Sequence, residues 1–155
     1  MLDLVLKKCT NSMLFDQIIV SSDNVEVKNI LSKNDDSRVR FHERSSSTTI
    51  RSRPITHTLE SVILEVDPDF KGLTLLSVLQ APFITTQTME ETIYSLILND
   101  ADSSILVKEV DAPLYERTPH GIMQINYKGF LVTDFDTLYM DTRTCVVLKN
   151  KNIKK

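Results

Sequence analysis

The chain has little of the residue types on which most recognisable catalytic and metal sites depend. It contains no tryptophan and only three glycines, which argues against a glycine-rich phosphate loop. Its two cysteines, Cys9 and Cys145, lie at opposite ends of the sequence, so no disulfide framework or zinc motif is indicated. The three histidines, His42, His57 and His120, form no pair at metal-ligand spacing. We therefore expect two reduced, buried thiols, no metal and no cofactor.

Long apolar runs are also missing. No stretch approaches the roughly 18 residues that a membrane span needs. The N-terminal run MLDLVLKKC is interrupted by Asp3, Lys7 and Lys8, which is not the pattern of a signal peptide. These features predict a soluble, intracellular, cytoplasmic protein whose contact with a membrane or a virion would be peripheral.

Charge is what the chain does have, and it is divided unevenly. Residues 56–147 hold fourteen carboxylates and five lysines or arginines, a formal charge of −9. The remaining residues carry +6, which leaves the net charge of the whole chain at −3. An acidic body with a basic arm favours binding over catalysis.

The most concentrated basic segment is the arginine- and serine-rich stretch at residues 37–54, which we call the arm. Guanidinium groups suit the phosphates of nucleic acid or of lipid headgroups, so we predict polyanion binding here. Two other interpretations remain open: a solvated linker, and docking of the arm on the acidic body of the same chain. The candidate binding residues are Arg38, Arg40, Arg44, Arg51 and Arg53.

Ser47 is a candidate phosphorylation site within the arm. Arg44 precedes it by three residues, a spacing that basophilic kinases accept. A phosphate on Ser47 would cancel part of the charge of the arm and could release a bound polyanion.

The apolar pattern predicts an extended N-terminal region, a linker and a core. Short β-rich runs at residues 2–6, 13–20 and 25–31 indicate strands, the last two forming a hairpin. Residues 34–55 contain few apolar groups and predict a flexible linker. We expect four segments: a β-rich extension at 1–33, the linker at 34–55, a core domain at 56–149 and a frayed basic tail at 150–155.

Within the core, one helix stands out. Thr88 and Glu91 have the spacing of a capping box at the start of residues 88–98, and Met89, Ile93, Leu96 and Ile97 form one apolar stripe. Strands are predicted around this helix at 57–67, 73–79, 104–110, 122–127, 130–133 and 144–148, with a short helical turn at 134–140. The fold class is α+β: a twisted mixed or antiparallel sheet packed against one main helix.

No set of residues indicates a catalytic site. His120 follows a proline in a predicted turn, which favours an exposed histidine over a general base. Asp134 and Asp136 could share a divalent metal if that stretch is extended, but a helix start or a solvated loop fits the pattern better. Cys145 alternates with core residues in a predicted strand, which favours a core thiol over a nucleophile. We predict that the protein is not an enzyme and has no small-molecule substrate.

Residues 73–98 resemble the central region of rhabdovirus-type matrix proteins. The shared features are a strand ending in Pro82-Phe83, a turn containing Thr85 and Thr86, and a helix. The family also carries a flexible charged arm before an α+β domain, although its arms are typically rich in lysine. The resemblance implies a structural protein that self-associates and contacts nucleocapsid or anionic membrane through the arm.

Residues 62–148 are similar instead to a ubiquitin-like or Ras-association β-grasp domain. That resemblance rests on element order: two strands, a capped helix, a strand, a turn at Gly129, a helical turn at 136–140 and a closing strand. It implies a protein-interaction module, and the absence of a terminal Gly-Gly removes conjugation. The two resemblances differ in the partner, which is another copy and a polyanion in the first and a basic protein in the second.

Overall fold

The chain begins with a helix, α1 (Leu2–Thr10), where the sequence analysis expected a strand at residues 2–6. The prediction was wrong because Leu2, Val5 and Leu6 follow helical spacing and reach one side of α1 together. Val5 and Leu6 are buried there. This structure, a computed structural model, describes residues 1–44, 55–129 and 134–153.

The second feature is a parallel strand pair joined by a helix. Strand β1 (Ile18–Ser22), helix α2 (Val25–Leu31) and strand β2 (Val39–Glu43) follow one another, and Ile18 pairs with Val39 in parallel register. The predicted hairpin with a strand at 25–31 is therefore wrong. Asn24 starts α2 instead, because its side chain accepts a hydrogen bond of 2.8 Å from the backbone N–H of Glu26.

The segment predicted as a flexible linker contains β2, which corrects the secondary structure expected for residues 39–43. Val39 and Phe41 pack against the buried cluster of Leu6, Ile18 and Leu31, so these apolar side chains order the strand. Residues 45–54 lie outside the described residues. The division into an extension, a linker, a core domain and a tail stays a prediction.

A third helix, α3 (Thr56–Val66), replaces the strand predicted at residues 57–67. The run SVILEV satisfies both a twofold and a helical period, so its pattern alone does not choose between them. Ile63 is completely buried while its neighbour Leu64 is half exposed. Burial of one side of α3 decides in favour of the helix.

The helix predicted at residues 88–98 is present as α4 (Thr86–Leu98), the longest of the helices in the described part of the chain. Its cap is Thr85 rather than Thr88, since the Thr85 hydroxyl accepts from the Thr88 N–H at 3.1 Å. Three members of the predicted stripe, Met89, Ile93 and Leu96, are buried. Ile97 is half exposed, so its assignment to the stripe was wrong.

A three-stranded sheet has the order β3-β7-β4, formed by β3 (Leu73–Ser77), β7 (Leu138–Lys149) and β4 (Ser103–Val110). The strands predicted at 73–79, 104–110 and 144–148 are thus confirmed, with shifted ends. Strands β3 and β7 are antiparallel, and Leu75 lies opposite Val147. Val147 is fully buried and forms a second core cluster with Ile93 and Leu96 of α4.

A hairpin of β5 (Tyr115–Thr118) and β6 (Gly121–Gln124) follows β4. The strand predicted at residues 122–127 overlaps β6, whereas no strand was predicted at β5, because YERT offers only one apolar side chain. The turn places Gly121 at φ 121°, a backbone conformation that favours glycine.

The helical turn predicted at residues 134–140 is wrong, because Phe135 forms a β-bridge with Tyr127 and β7 begins at Leu138. The strand predicted at 130–133 lies outside the described residues. In the first part of the tail that was predicted to fray, Asn150–Asn152 form a short 3₁₀ helix, and Asn150 is buried.

The chain is an α+β protein with two compact units. Unit 1 comprises residues 1–104 and 144–155, and unit 2 comprises residues 105–143. Both core clusters named above belong to unit 1.

Candidate functional site

Arg38, the first arginine of the predicted polyanion site, directs its donors into unit 1. Its Nη1 donates to the carbonyl oxygens of Ser12 at 2.6 Å and Phe15 at 3.2 Å. Its Nη2 donates to the carbonyl oxygen of Thr10 at 2.6 Å and to the carboxylate of Asp36 at 2.7 Å. The bonds to Asp36 raise the pKa of Arg38 and lower the pKa of the carboxyl. Arg38 therefore joins the end of α1 to the start of β2.

The other described arginines of the arm, Arg40 and Arg44, differ in their contacts. Arg44 follows β2, and its Nη2 donates to the carbonyl oxygen of Ser21 at 2.8 Å. Arg40 is exposed on β2 and makes no hydrogen bond or ion pair within the described residues, so its guanidinium is accessible. Arg51, Arg53 and the predicted phosphorylation site Ser47 lie outside the described residues. Polyanion binding by the arm stays a prediction.

His42 connects three elements through two hydroxyl groups. Its Nδ1 lies 3.0 Å from the Ser21 hydroxyl of β1, and its Nε2 lies 3.2 Å from the Ser61 hydroxyl of α3. A serine and a histidine at this distance resemble a nucleophile and its base. Ser61, however, lies within a helix, where its backbone N–H belongs to the helical ladder and offers no donor to an oxyanion. We assign His42 to cross-linking of β1, β2 and α3.

The cysteines and the paired aspartates contribute no further site. Cys145 is 1% exposed in β7, and burial raises the pKa of its thiol. Burial likewise raises the pKa of Cys9, which is partly buried where the sequence predicted a buried thiol. Asp136 forms an ion pair with Lys128 at 2.8 Å, and within the described ranges no three metal-ligating side chains converge.

A lysine-bearing cleft in unit 1 was missed by the sequence analysis. It has a volume of about 470 Å³. Its walls come from the turn between α3 and β3 and from the end of β7, segments far apart in sequence. The lining residues are Asp69, Phe70, Lys71, Gly72, Leu73, Lys149 and Lys151. Only the β3–β7 register brings them together, so no local sequence signal could have found them.

Unit 2 is organised around a buried asparagine. Asn126 is 3% exposed, and its Nδ2 donates to the carbonyl oxygens of Ala112 and Asp136, each at 3.0 Å. Its Oδ1 accepts from the N–H of Leu114 at 2.9 Å. These bonds hold together three stretches of chain beside the hairpin.

Most large apolar side chains in the described part of unit 2 are exposed. In the described part of unit 2 no apolar residue belongs to the buried core, while nine large apolar side chains are exposed. We call this set the hairpin surface: Ile105, Val107, Tyr115, Ile122, Met123, Ile125, Tyr127, Tyr139 and Met140. Ile122 and Met123 are adjacent in β6 and point to opposite faces, and both are more than half exposed. Neither face of β6 is therefore covered.

Comparison with known proteins does not identify the chain. No protein-family model matches the sequence, and no curated protein matches it. Among the helices formed by residues 1–44, 55–129 and 134–153, none has the length and apolar character needed to cross a bilayer.

Proposed function

We propose that this chain is a non-enzymatic, matrix-like assembly protein that associates with further copies of itself through the hairpin surface of unit 2. The supporting observation is the exposure of nine large apolar side chains in a unit whose described residues bury none. A two-stranded hairpin is marginally stable in water unless something packs against it. Large apolar side chains exposed in one unit of a folded protein are typical of a contact site.

A second copy is the favoured occupant because the chain is electrostatically complementary to itself. Residues 56–147 carry −9 and the remainder carries +6, so each copy offers both signs to the next. Complementary charge steers encounter and fixes register between partners. The apolar side chains of the hairpin surface then supply the area that is removed from water.

The test is the oligomeric state of the purified chain, measured by light scattering after size exclusion over a range of concentrations. We expect the unmodified chain to form a defined oligomer, and the double variant Ile122→Glu/Met123→Glu to remain monomeric. Leu98→Glu is the matched control, since Leu98 is 83% exposed and lies on α4 of unit 1. A chain that is monomeric throughout, or a control as disruptive as the double variant, would contradict the proposal.

Contact with a polyanion through the arm is the second part of the proposal. It is supported by the accessible guanidinium of Arg40 and by the arginine-rich sequence that follows it. The partner would be nucleocapsid RNA or an anionic membrane. Co-sedimentation with single-stranded RNA and with anionic vesicles tests it, beside Arg40→Gln and Arg51→Gln/Arg53→Gln variants. We expect binding that weakens as salt is added and in these variants. Binding that the substitutions leave unchanged would contradict polyanion binding by the arm.

The alternative function is a β-grasp-like protein-interaction module without conjugation activity. Its resemblance rests partly on a strand at residues 57–67, and that segment is helix α3. A monomer that binds neither RNA nor lipid would favour the module.

A further inference from the structure

The lysine-bearing cleft begins at a turn that the protein holds firmly. After α3, the carboxylate of Asp67 accepts from the backbone N–H of Gly72 at 2.8 Å and from that of Lys71 at 3.2 Å. Phe70 takes a left-handed conformation, with φ 57°, and is 5% exposed. The turn from residue 67 to residue 72 is thus closed by a side chain and anchored by an aromatic ring.

The opposite wall is attached to this turn by Asn150, which is 3% exposed. Its Nδ2 donates to Asp67 at 2.7 Å, and its Oδ1 accepts from the Thr74 hydroxyl at 2.6 Å. Its backbone N–H donates to the carbonyl oxygen of Gly72 at 3.0 Å. Residues 149–151 are thereby fixed beside residues 71–73, so the cleft is formed before any ligand arrives.

Three lysines line the cleft, and each ammonium group has donors left over. Lys149 bonds to Asp100 at 2.6 Å, and Lys71 bonds to Asp69 at 2.9 Å in an exposed pair. Lys151 makes no hydrogen bond or ion pair within the described residues. An ammonium carries three N–H donors, so each lysine retains at least one. The three lysines are balanced by Asp67 of the turn, Asp69 and Asp100, so the cleft is locally neutral within the surrounding acidic block.

From this geometry we infer that the cleft binds the phosphate group of a phosphorylated small molecule or of a lipid headgroup. Lysine binds phosphate as a point charge, and the walls supply three such charges around one opening. The cleft is larger than a phosphate, and Leu73, which is 41% exposed, provides apolar wall for an attached organic group. This site is distinct from the hairpin surface and the arm, and it goes beyond the proposed function.

Titration of the full chain with pyrophosphate, followed by amide chemical shifts, tests the inference. We expect saturable shifts concentrated at residues 69–73 and 149–151, with chloride at matched ionic strength producing none. The variant Lys71→Gln/Lys151→Gln should weaken binding on the order of tenfold, because each lost ammonium removes a charged hydrogen-bond donor. Lys33→Gln is the matched control, an exposed lysine of unit 1 outside the cleft.

Vesicles containing phosphatidic acid distinguish the two sources of phosphate. Saturable binding of pyrophosphate assigns the cleft to soluble ligands. If pyrophosphate gives no saturable shifts, but the chain is retained on these vesicles and the double variant is not, the ligand of the cleft is a lipid headgroup. Shifts that never saturate or that spread over lysines elsewhere, together with vesicle retention that the double variant leaves unchanged, would overturn the inference. So would equal weakening by Lys33→Gln. Unaltered dispersion of the remaining amide signals in both variants confirms that they fold.

Discussion

Asn126 and Asn150 perform the same task in different units. Each is 3% exposed, and each uses both ends of its amide to hold chain segments that are distant in sequence. Asparagine suits this position because one short side chain offers both donors and an acceptor. Two of the buried polar residues thus fix the hairpin unit and the wall of the lysine-bearing cleft.

Replacing Asn126 with alanine should disorder unit 2. The substitution leaves the N–H of Leu114 and the carbonyls of Ala112 and Asp136 without their partner. Each lost hydrogen bond costs about 0.5–1.5 kcal/mol. We expect amide signals of residues 112–127 to collapse while those of unit 1 persist. Gln124→Ala is the control, because Gln124 makes only a 3.5 Å contact with Asn126; similar effects of both substitutions would contradict this role.

Asp67 should make stability depend on acid pH. The hydrogen bond from Asn150 and the backbone N–H of Gly72 lower its pKa in the folded state. A carboxyl whose folded pKa lies below its unfolded value, about 3.9 for aspartate, stabilises the fold above that value. The contribution is lost as the pH falls through the folded pKa. In urea unfolding, Asp67→Asn should therefore destabilise at pH 7 and much less at pH 2. Asp69→Asn, the control, should leave the free energy of unfolding unchanged at both pH values. If Asp67→Asn lowers stability equally at pH 7 and pH 2, the charge of Asp67 does not stabilise the fold.

At the scale of elements, the sequence predicts the strands of the three-stranded sheet and α4 but misassigns α1, α2 and α3. Short runs such as VEVKNIL carry β-branched residues and too few turns to show a period. Burial of Leu31 and Ile63 against other parts of the chain favours the helix in these segments. A local sequence pattern carries no information about such long-range contacts. Of the two candidate binding sites, one could be predicted from the sequence and the other could not. The arm is visible as composition, whereas the cleft depends on the pairing of Leu73 with Lys149.

The cap of α4 gives a test of one element. Thr85→Ala should lower the free energy of unfolding by about 1 kcal/mol, because the hydroxyl of Thr85 satisfies the orphan N–H of Thr88. Thr88→Ala should cost less, since Thr88 lies inside the helix and its hydroxyl bonds only to Thr85. Denaturant unfolding of both variants measures the difference. If Thr88→Ala is more destabilising than Thr85→Ala, Thr88 is the cap of α4.

At the scale of the whole molecule, the two units should differ in local stability. Unit 1 contains the core clusters of Leu6 and Val147, while the described residues of unit 2 rely on Asn126 and strand pairing. A region with few buried apolar contacts unfolds locally more often than a well-packed core, so unit 2 should open more often than unit 1. In the monomeric Ile122→Glu/Met123→Glu variant, amides of residues 115–124 should exchange faster than those of α4. In the self-associated chain, the amides of residues 115–124 should exchange more slowly than in the monomeric variant. Equal exchange in the monomer and the oligomer would contradict self-association through unit 2.

Strand β7 carries a consequence for synthesis of the protein. It lies between β3 and β4, and its Val147 completes the cluster that α4 begins. A nascent chain can make β3 and α4 early, but β7, the central strand of the sheet, begins forty residues after α4 ends. Until residues 144–149 leave the ribosome, Ile93 and Leu96 have no β7 to cover them. Completion of this core cluster therefore waits for β7, and the growing chain leaves the apolar side of α4 without β7 throughout the synthesis of unit 2.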